Sequence, residues 1–222
     1  KVILGFFGPA IYHLMFSIVS KISLLISCRE YILRKKIGKI ITPSQITNQW
    51  LVGHKEHEFN EPKLLYVGRV RKEKGIYSLL NLLKENKTNL TLSIVGAEKN
   101  SQTQIEQDSV NIYEVENNEQ NLIKYYDDHN IFILPSYTEG HPMALLEALS
   151  RLRPVIIFKD IEHVVGNKKG IFVAERNSSS LLEQINHIKK NYKNIQQEMK
   201  NNNLPTKEQF ISKLGDLISK SS

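Results

Sequence analysis

From Lys63 onward an apolar run ending in glycine recurs and alternates with helical segments, and that alternation limits the fold more than anything else in the chain. KLLYVG ends at Gly68 and LTLSIVG at Gly96. Further short apolar runs at 110–115, 131–135, 154–158 and 170–173 predict strands, while residues 77–85, 119–127 and 142–152 have helical spacing. Strand and helix units of roughly 30 residues imply right-handed crossovers and a parallel sheet. The expected class is α/β, a doubly wound parallel sheet of Rossmann-like type. In such sheets ligands sit at the carboxyl ends of the strands. The residues just after each strand are therefore where function is expected to be written.

The 222 residues leave room for one such domain plus part of another. Upstream, residues 10–21 read as a helix, 22–27 as a short strand, 29–37 as a basic helix stopping at Gly38, and 39–42 as a strand before Pro43. Residues 45–62 are polar and aperiodic and read as a linker. The expected division is thus 1–60 and 61–222, the latter ending in two helices on either side of Asn201-Asn202-Asn203-Leu204-Pro205.

The charge is biased toward the start of the chain. The formal net charge is +7, and residues 1–60 hold 8 Lys and Arg against 3 Asp and Glu. The run Arg29, Arg34, Lys35, Lys36, Lys39 fits either a solvated helix face or peripheral contact with an anionic membrane. No stacking-aromatic pattern accompanies it, so nucleic acid is not an expected partner. The apolar stretch 10–27 contains His13 and Lys21 and barely reaches bilayer length, so no membrane span is predicted. With Cys28 the one cysteine, no disulfide framework or cysteine-rich metal site forms within the chain, and a cytoplasmic setting is expected. His13, His54, His57 and His163 have no metal-ligand spacing.

Two strand ends carry chemistry. After the first strand comes Gly68-Arg69-Val70-Arg71-Lys72-Glu73-Lys74-Gly75, which sets cations and glycines where a helix begins. A helix start with free N–H groups and nearby Arg and Lys suits a phosphate, although the segment also fits a charged surface turn. The run ILPS leads into Tyr137-Thr138-Glu139-Gly140-His141-Pro142-Met143-Ala144-Leu145-Leu146-Glu147-Ala148. Pro142 suits the first turn of a helix, which leaves Glu139 in the loop at its mouth and Glu147 just over one turn inside. Leu145, Leu146, Ala148 and Leu149 argue that this helix is largely buried, so a carboxylate at Glu147 needs a partner.

The pattern P-S-x-x-E-G-x-P-x-x-L-L-E-A, with Glu139 and Glu147 as its carboxylate pair, resembles the C-terminal domain of retaining GT-B glycosyltransferases of family 4. Gly68-Arg69 followed by Lys74-Gly75 is similar to that family's G-R-x-x-x-x-K-G segment, about 70 residues upstream in the expected order. The resemblance implies that Arg69 and Lys74 hold the diphosphate of a nucleotide-sugar donor, with Gly68 allowing close approach. It implies that Glu147 binds the ribose and that Glu139, the catalytic candidate, contacts the transferred sugar. The backbone N–H groups of Gly140, His141, Met143 and Ala144 would meet the sugar and distal phosphate. It further implies no cofactor and no metal, because two cations and a helix mouth neutralise the leaving diphosphate. In similar enzymes the last helix crosses back to the N-terminal domain. Residues 1–60 then read as the closing elements of an N-terminal, acceptor-binding domain.

The expected activity is retaining transfer of a hexosyl-type sugar from a nucleotide diphosphate sugar to a glycan or lipid-linked acceptor, in surface polysaccharide or glycolipid synthesis on the inner face of a membrane. The alternative is a catalytically incomplete nucleotide-sugar-binding module that needs a partner. A GT-B epimerase would require a different carboxylate and histidine set.

Overall fold

The computed structural model describes residues 8–23, 25–28, 38–55, 59–85, 90–98 and 109–219. The chain forms two compact units, one of Lys1–Ser44 with Lys207–Ser222 and one of Gln45–Thr206. In the smaller unit, helix α1 (Gly8–Ile22) precedes strands β1 (Leu25–Ser27) and β2 (Gly38–Ile40), which pair in parallel. Gly38 opens β2. The basic helix expected over 29–37 lies outside the described residues. Tyr12, Leu14, Met15 and Ile18 of α1 are exposed. No helix among the described residues is long and apolar enough to cross a membrane.

The larger unit opens with a short helix α2 (Asn48–Leu51), followed by β3 (Lys63–Val67), α3 (Ile76–Glu85), β4 (Thr91–Val95) and β5 (Val110–Tyr113). Then come α4 (Glu119–Asp128), β6 (Ile131–Leu134), α5 (Met143–Ser150), β7 (Val155–Phe158), β8 (Ile171–Ala174) and α6 (Ser178–Met199). A 3-10 segment, Lys159–Val164, between β7 and β8 has no counterpart in the sequence pattern. The last helix, α7 (Lys207–Ser219), groups with the smaller unit rather than with the sheet that precedes it.

All six strands β3 to β8 are parallel, in the order β5-β4-β3-β6-β7-β8. The neighbouring strands β6 and β7 read IFIL and VIIF and are buried at every position, as expected of strands covered on both faces. β3, β4 and β5 progress toward one edge, and β6, β7 and β8 toward the other. The order reverses between β3 and β6, the switch point where a crevice opens at the carboxyl ends.

Within the segment expected to be a linker, residues 45–55 are part of the packed larger unit. Ile46 and Trp50 are buried in the core of the larger unit, and the Trp50 indole donates to Glu119 Oε1 at 2.8 Å. Arg151, 1% exposed, donates to the carbonyls of Trp50, Val52 and Gly53 at 3.0, 2.7 and 2.9 Å. Arg153 donates to the Lys55 carbonyl at 3.0 Å. Both guanidiniums pair with Asp127. Buried arginines need acceptors, and here backbone carbonyls of an irregular segment supply them. The boundary expected near residue 60 therefore falls at residue 45.

Candidate functional site

The loops that leave β3 and β6 meet at the switch point. β3 runs into Gly68, whose N–H donates to the Val95 carbonyl at 2.9 Å. Gly96, at φ +105, lies against this turn so closely that a Cβ would fall 2.8 Å from the Gly68 oxygen. Arg69 is exposed beyond it, and its carbonyl accepts from Tyr66 Oη at 2.8 Å. Burial, and after it the charge of Glu139, pushes the Tyr66 phenol well above its ordinary value, which keeps it a donor. Lys72–Lys74 form one 3-10 turn that closes on Gly75. Gly75 has φ +69, and a Cβ there would stand 1.9 Å from the Pro135 oxygen at the end of β6. Only glycine permits both the left-handed turn and that approach.

Two contacts join the loops, and a third holds Glu139 within its own loop. The Tyr137 N–H donates to the Glu73 carbonyl at 3.0 Å. Lys74 Nζ donates to Glu139 Oε1 at 2.8 Å, with the side chains 25% and 9% exposed. Ser136 Oγ donates to the same oxygen at 2.6 Å. The cation expected to grip a diphosphate and the carboxylate expected to meet a sugar are thus ion-paired with each other.

The second loop ends at α5. Pro142 is not in the first helical turn; it is the N-cap, with φ −73 and ψ 108, and makes no side-chain cap hydrogen bond. A proline cap has no side-chain acceptor for the first N–H groups, so the helix mouth keeps donors and a positive dipole end for an anion. Gly140 is exposed at this mouth, and His141, Met143 and Ala144 are half-buried. The His163 ring bonds the Glu139 carbonyl at 3.0 Å. Arg176 braces the same loop: its guanidinium donates to the carbonyls of Pro135 and Ser136 at 3.0 and 3.3 Å and to Asp160 at 2.7 Å, and stacks on the Tyr137 ring at 4.0 Å.

Glu147 is one turn further along, 9% exposed. Tyr126 Oη on α4 donates to its Oε2 at 2.8 Å. Burial raises the Glu147 carboxyl above its ordinary value, and the Tyr126 hydrogen bond partly offsets this.

With that geometry in place, the sequence model of the glycosyl transferases group 1 family matches residues 53–204, more than half of the chain. The chain belongs to this family. It is 26% identical over 134 residues to the capsular polysaccharide biosynthesis glycosyltransferase CapM of Staphylococcus aureus, covering 55% of this chain and 35% of that one. A Bacillus subtilis protein named as a teichuronic acid biosynthesis glycosyltransferase, TuaC, is 27% identical over 123 residues, covering 54% and 31%. The chain thus spans about a third of the length of the curated relatives it matches. HepE of Anabaena, solved in complex with UDP, superposes with a TM-score of 0.74 at 14% identity, covering 97% of this chain and 69% of that one. HepE has also been solved with UDP-glucose, at a TM-score of 0.68, 15% identity, and coverage of 89% and 64%. The fold is that of GT-B glycosyltransferases.

Within this group 1 domain, the structure brings together the expected residues of both loops. Gly68, Arg69 and Lys74 follow β3, Glu139 to Ala144 follow β6, and Glu147 lies on the helix they lead into. Lys74 and Glu139 touch directly. Ser136, Tyr126 and Arg176 were not singled out as site residues from the sequence. Ser136 lies inside the P-S-x-x-E-G pattern and was legible there. Tyr126 and Arg176 sit 21 residues before Glu147 and 37 after Glu139, on other elements, and nothing local points to them.

Proposed function

We propose that this chain carries the donor-binding domain of a retaining, family 4 GT-B glycosyltransferase. It takes a nucleotide diphosphate sugar and transfers a hexosyl-type sugar to a glycan or lipid-linked acceptor in surface polysaccharide or glycolipid synthesis. The observation that carries this reading is the Lys74–Glu139 contact at the switch point, which joins a phosphate-type cation to a sugar-type carboxylate across the two loops. The UDP and UDP-glucose held by HepE support the ligand class, and the names of CapM and TuaC support the pathway class.

Arg69 and Lys74 neutralise the diphosphate, Arg69 as a planar fork and Lys74 as a point charge. The N–H groups from Gly140 to Ala144 at the α5 mouth meet the distal phosphate and the sugar. Glu139 accepts from sugar hydroxyls, and Glu147 from ribose hydroxyls. Charge that develops on the leaving diphosphate falls on fixed cations and a helix dipole, so the step needs no divalent metal. Residues 1–44 belong, in this reading, to an acceptor-binding domain, and their positive bias favours contact with an anionic membrane surface.

Calorimetry with UDP and UDP-glucose, with and without EDTA, tests this. Binding should be unaffected by the chelator and should weaken about tenfold in Arg69→Ala and in Lys74→Ala, as loss of a charge-assisted hydrogen bond implies. Binding that disappears with EDTA overturns the metal-free reading. Affinity unchanged in both variants overturns the site, and a panel of other nucleoside diphosphates then separates a wrong base from a wrong cleft.

A further inference from the structure

A carboxylate in an apolar helix survives only if something answers it, and a single side chain answers Glu147. Tyr126 is fully buried. Its ring meets Trp50 edge-on at 5.5 Å and Phe132 at 5.6 Å, so the phenol cannot swing away. Its hydroxyl lies 2.8 Å from Glu147 Oε2 and 3.3 Å from the Ala144 carbonyl. Oε1 of Glu147 takes no hydrogen bond from the described residues. No buried side-chain oxygen or nitrogen among those residues lacks a partner, so Oε1 reaches solvent. One oxygen of the carboxylate is tethered inward and the other is left open.

We propose that Tyr126 is the positioning residue of the nucleotide site, fixing Oε2 of Glu147 against the protein so that Oε1 is presented outward as an acceptor for a ligand's hydroxyl pair. The ligand side of this inference rests on the reading of Glu147 as the ribose contact.

A phenol suits the task because it donates without adding charge. Burial first, and then the charge of Glu147, holds the Tyr126 hydroxyl well above its ordinary value, so it stays protonated. No cation among the described residues does the same work. β6 and β7, packed against α5, contribute only apolar side chains. On the α2 side, the His54 ring is held by the Ser150 carbonyl. On α4, Asp127 is engaged with Arg151 and Arg153, and Glu119 with Thr47 and Trp50. None of these groups is among the causes that move Glu147, whose ionisation is set by burial and by Tyr126.

The test is Tyr126→Phe, which keeps the ring and removes the donor. It is followed by ¹³C NMR titration of the Glu147 carboxyl and by UDP calorimetry from mildly acidic to mildly alkaline pH. The Glu147 titration should move to higher pH. UDP affinity should fall about tenfold at the acidic end and recover as pH rises, the size expected for a hydrogen bond to a charged group. The terminal phosphate of UDP titrates equally in both proteins, so the difference between the two profiles reports Glu147. In a Glu147→Gln background, Tyr126→Phe should add no pH-dependent step. A UDP affinity lowered equally at every pH makes Tyr126 a packing residue and overturns the proposal, as does an unmoved Glu147 titration. If the titration moves but Glu147→Gln binds UDP as well as wild type, the coupling of Tyr126 to Glu147 stands and the ribose reading falls. Should Tyr126→Phe not fold, Trp50→Phe serves as the second variant. It keeps the phenol but loosens its seat, and it should broaden the Glu147 titration without removing the hydrogen bond; an unchanged titration there overturns the clamp.

Discussion

Replacing Glu139 by glutamine separates the two tasks that meet on its carboxylate. Lys74 pairs with Glu139 at 2.8 Å. A diphosphate arriving at Lys74 must displace that contact. Exposed ion pairs contribute up to about 1 kcal/mol and buried charge-assisted bonds about 1.5 to 3 kcal/mol. With Lys74 25% exposed and Glu139 9% exposed, the competing pair is worth about 1 kcal/mol. Glu139→Gln removes that competition and a negative charge beside the phosphates, while Ser136 Oγ keeps an amide oxygen to donate to. UDP should therefore bind about fivefold more tightly, since 1.4 kcal/mol is tenfold, and the gain should shrink as salt screens the pair. UDP-glucose should lose its advantage over UDP, because the sugar contact is gone. Calorimetry of both ligands at low and high salt reads all of these values. Weaker UDP binding in Glu139→Gln would show that Glu139 helps to hold the nucleotide, and the division of labour between the carboxylates would be wrong.

Gly75→Ala forces a Cβ to 1.9 Å from the Pro135 oxygen at φ +69, and should cost about 2 to 4 kcal/mol in urea unfolding along with UDP affinity; a loss under about 1 kcal/mol refutes the tight seat. Arg151→Met leaves Asp127 and three carbonyls short of a donor and should destabilise by about 3 to 5 kcal/mol, and near-neutral behaviour would mean that the clamp on residues 50–53 is dispensable. Glu147→Gln should raise the melting temperature at neutral pH: the folded carboxyl titrates above its unfolded value, so stability falls as pH rises from the unfolded value through the folded one. The advantage of the amide should fade below about pH 4.3, where the unfolded carboxyl is also protonated, and an advantage that persists there refutes the linkage.

The sheet was legible because burial on both faces leaves continuous apolar runs such as IFIL and VIIF, each closed by glycine, proline or a polar residue. The site was legible because its residues cluster just after two of those runs. Glu147 could be read as buried from its own neighbours, but its partner could not, since Tyr126 reaches it from another helix. Residues 45–55 carry no direct linker-breaking signal in the sequence for a similar reason. What orders them is a set of backbone carbonyls answering two arginines about 100 residues away, and backbone acceptors leave no trace in composition. The available clues were Trp50 in a polar stretch and Arg151 and Arg153 in an otherwise apolar one, two charges that would need partners if buried. The one-residue difference at Pro142 has a plain cause: a proline fits the N-cap and the first turn alike.

The arginine clamp also decides where this domain can be cut. A fragment starting at residue 61 would keep Arg151 and Arg153 but discard the carbonyls of Trp50, Val52, Gly53 and Lys55, together with the indole that packs on Tyr126. Two guanidiniums would share Asp127 beside an open hole, and the wall behind Glu147 would be missing. The smallest piece able to fold with this cleft intact therefore begins before Ile46. Grafting this domain onto another chain requires the join to be made upstream of that residue, so the domain has to bring its own strap.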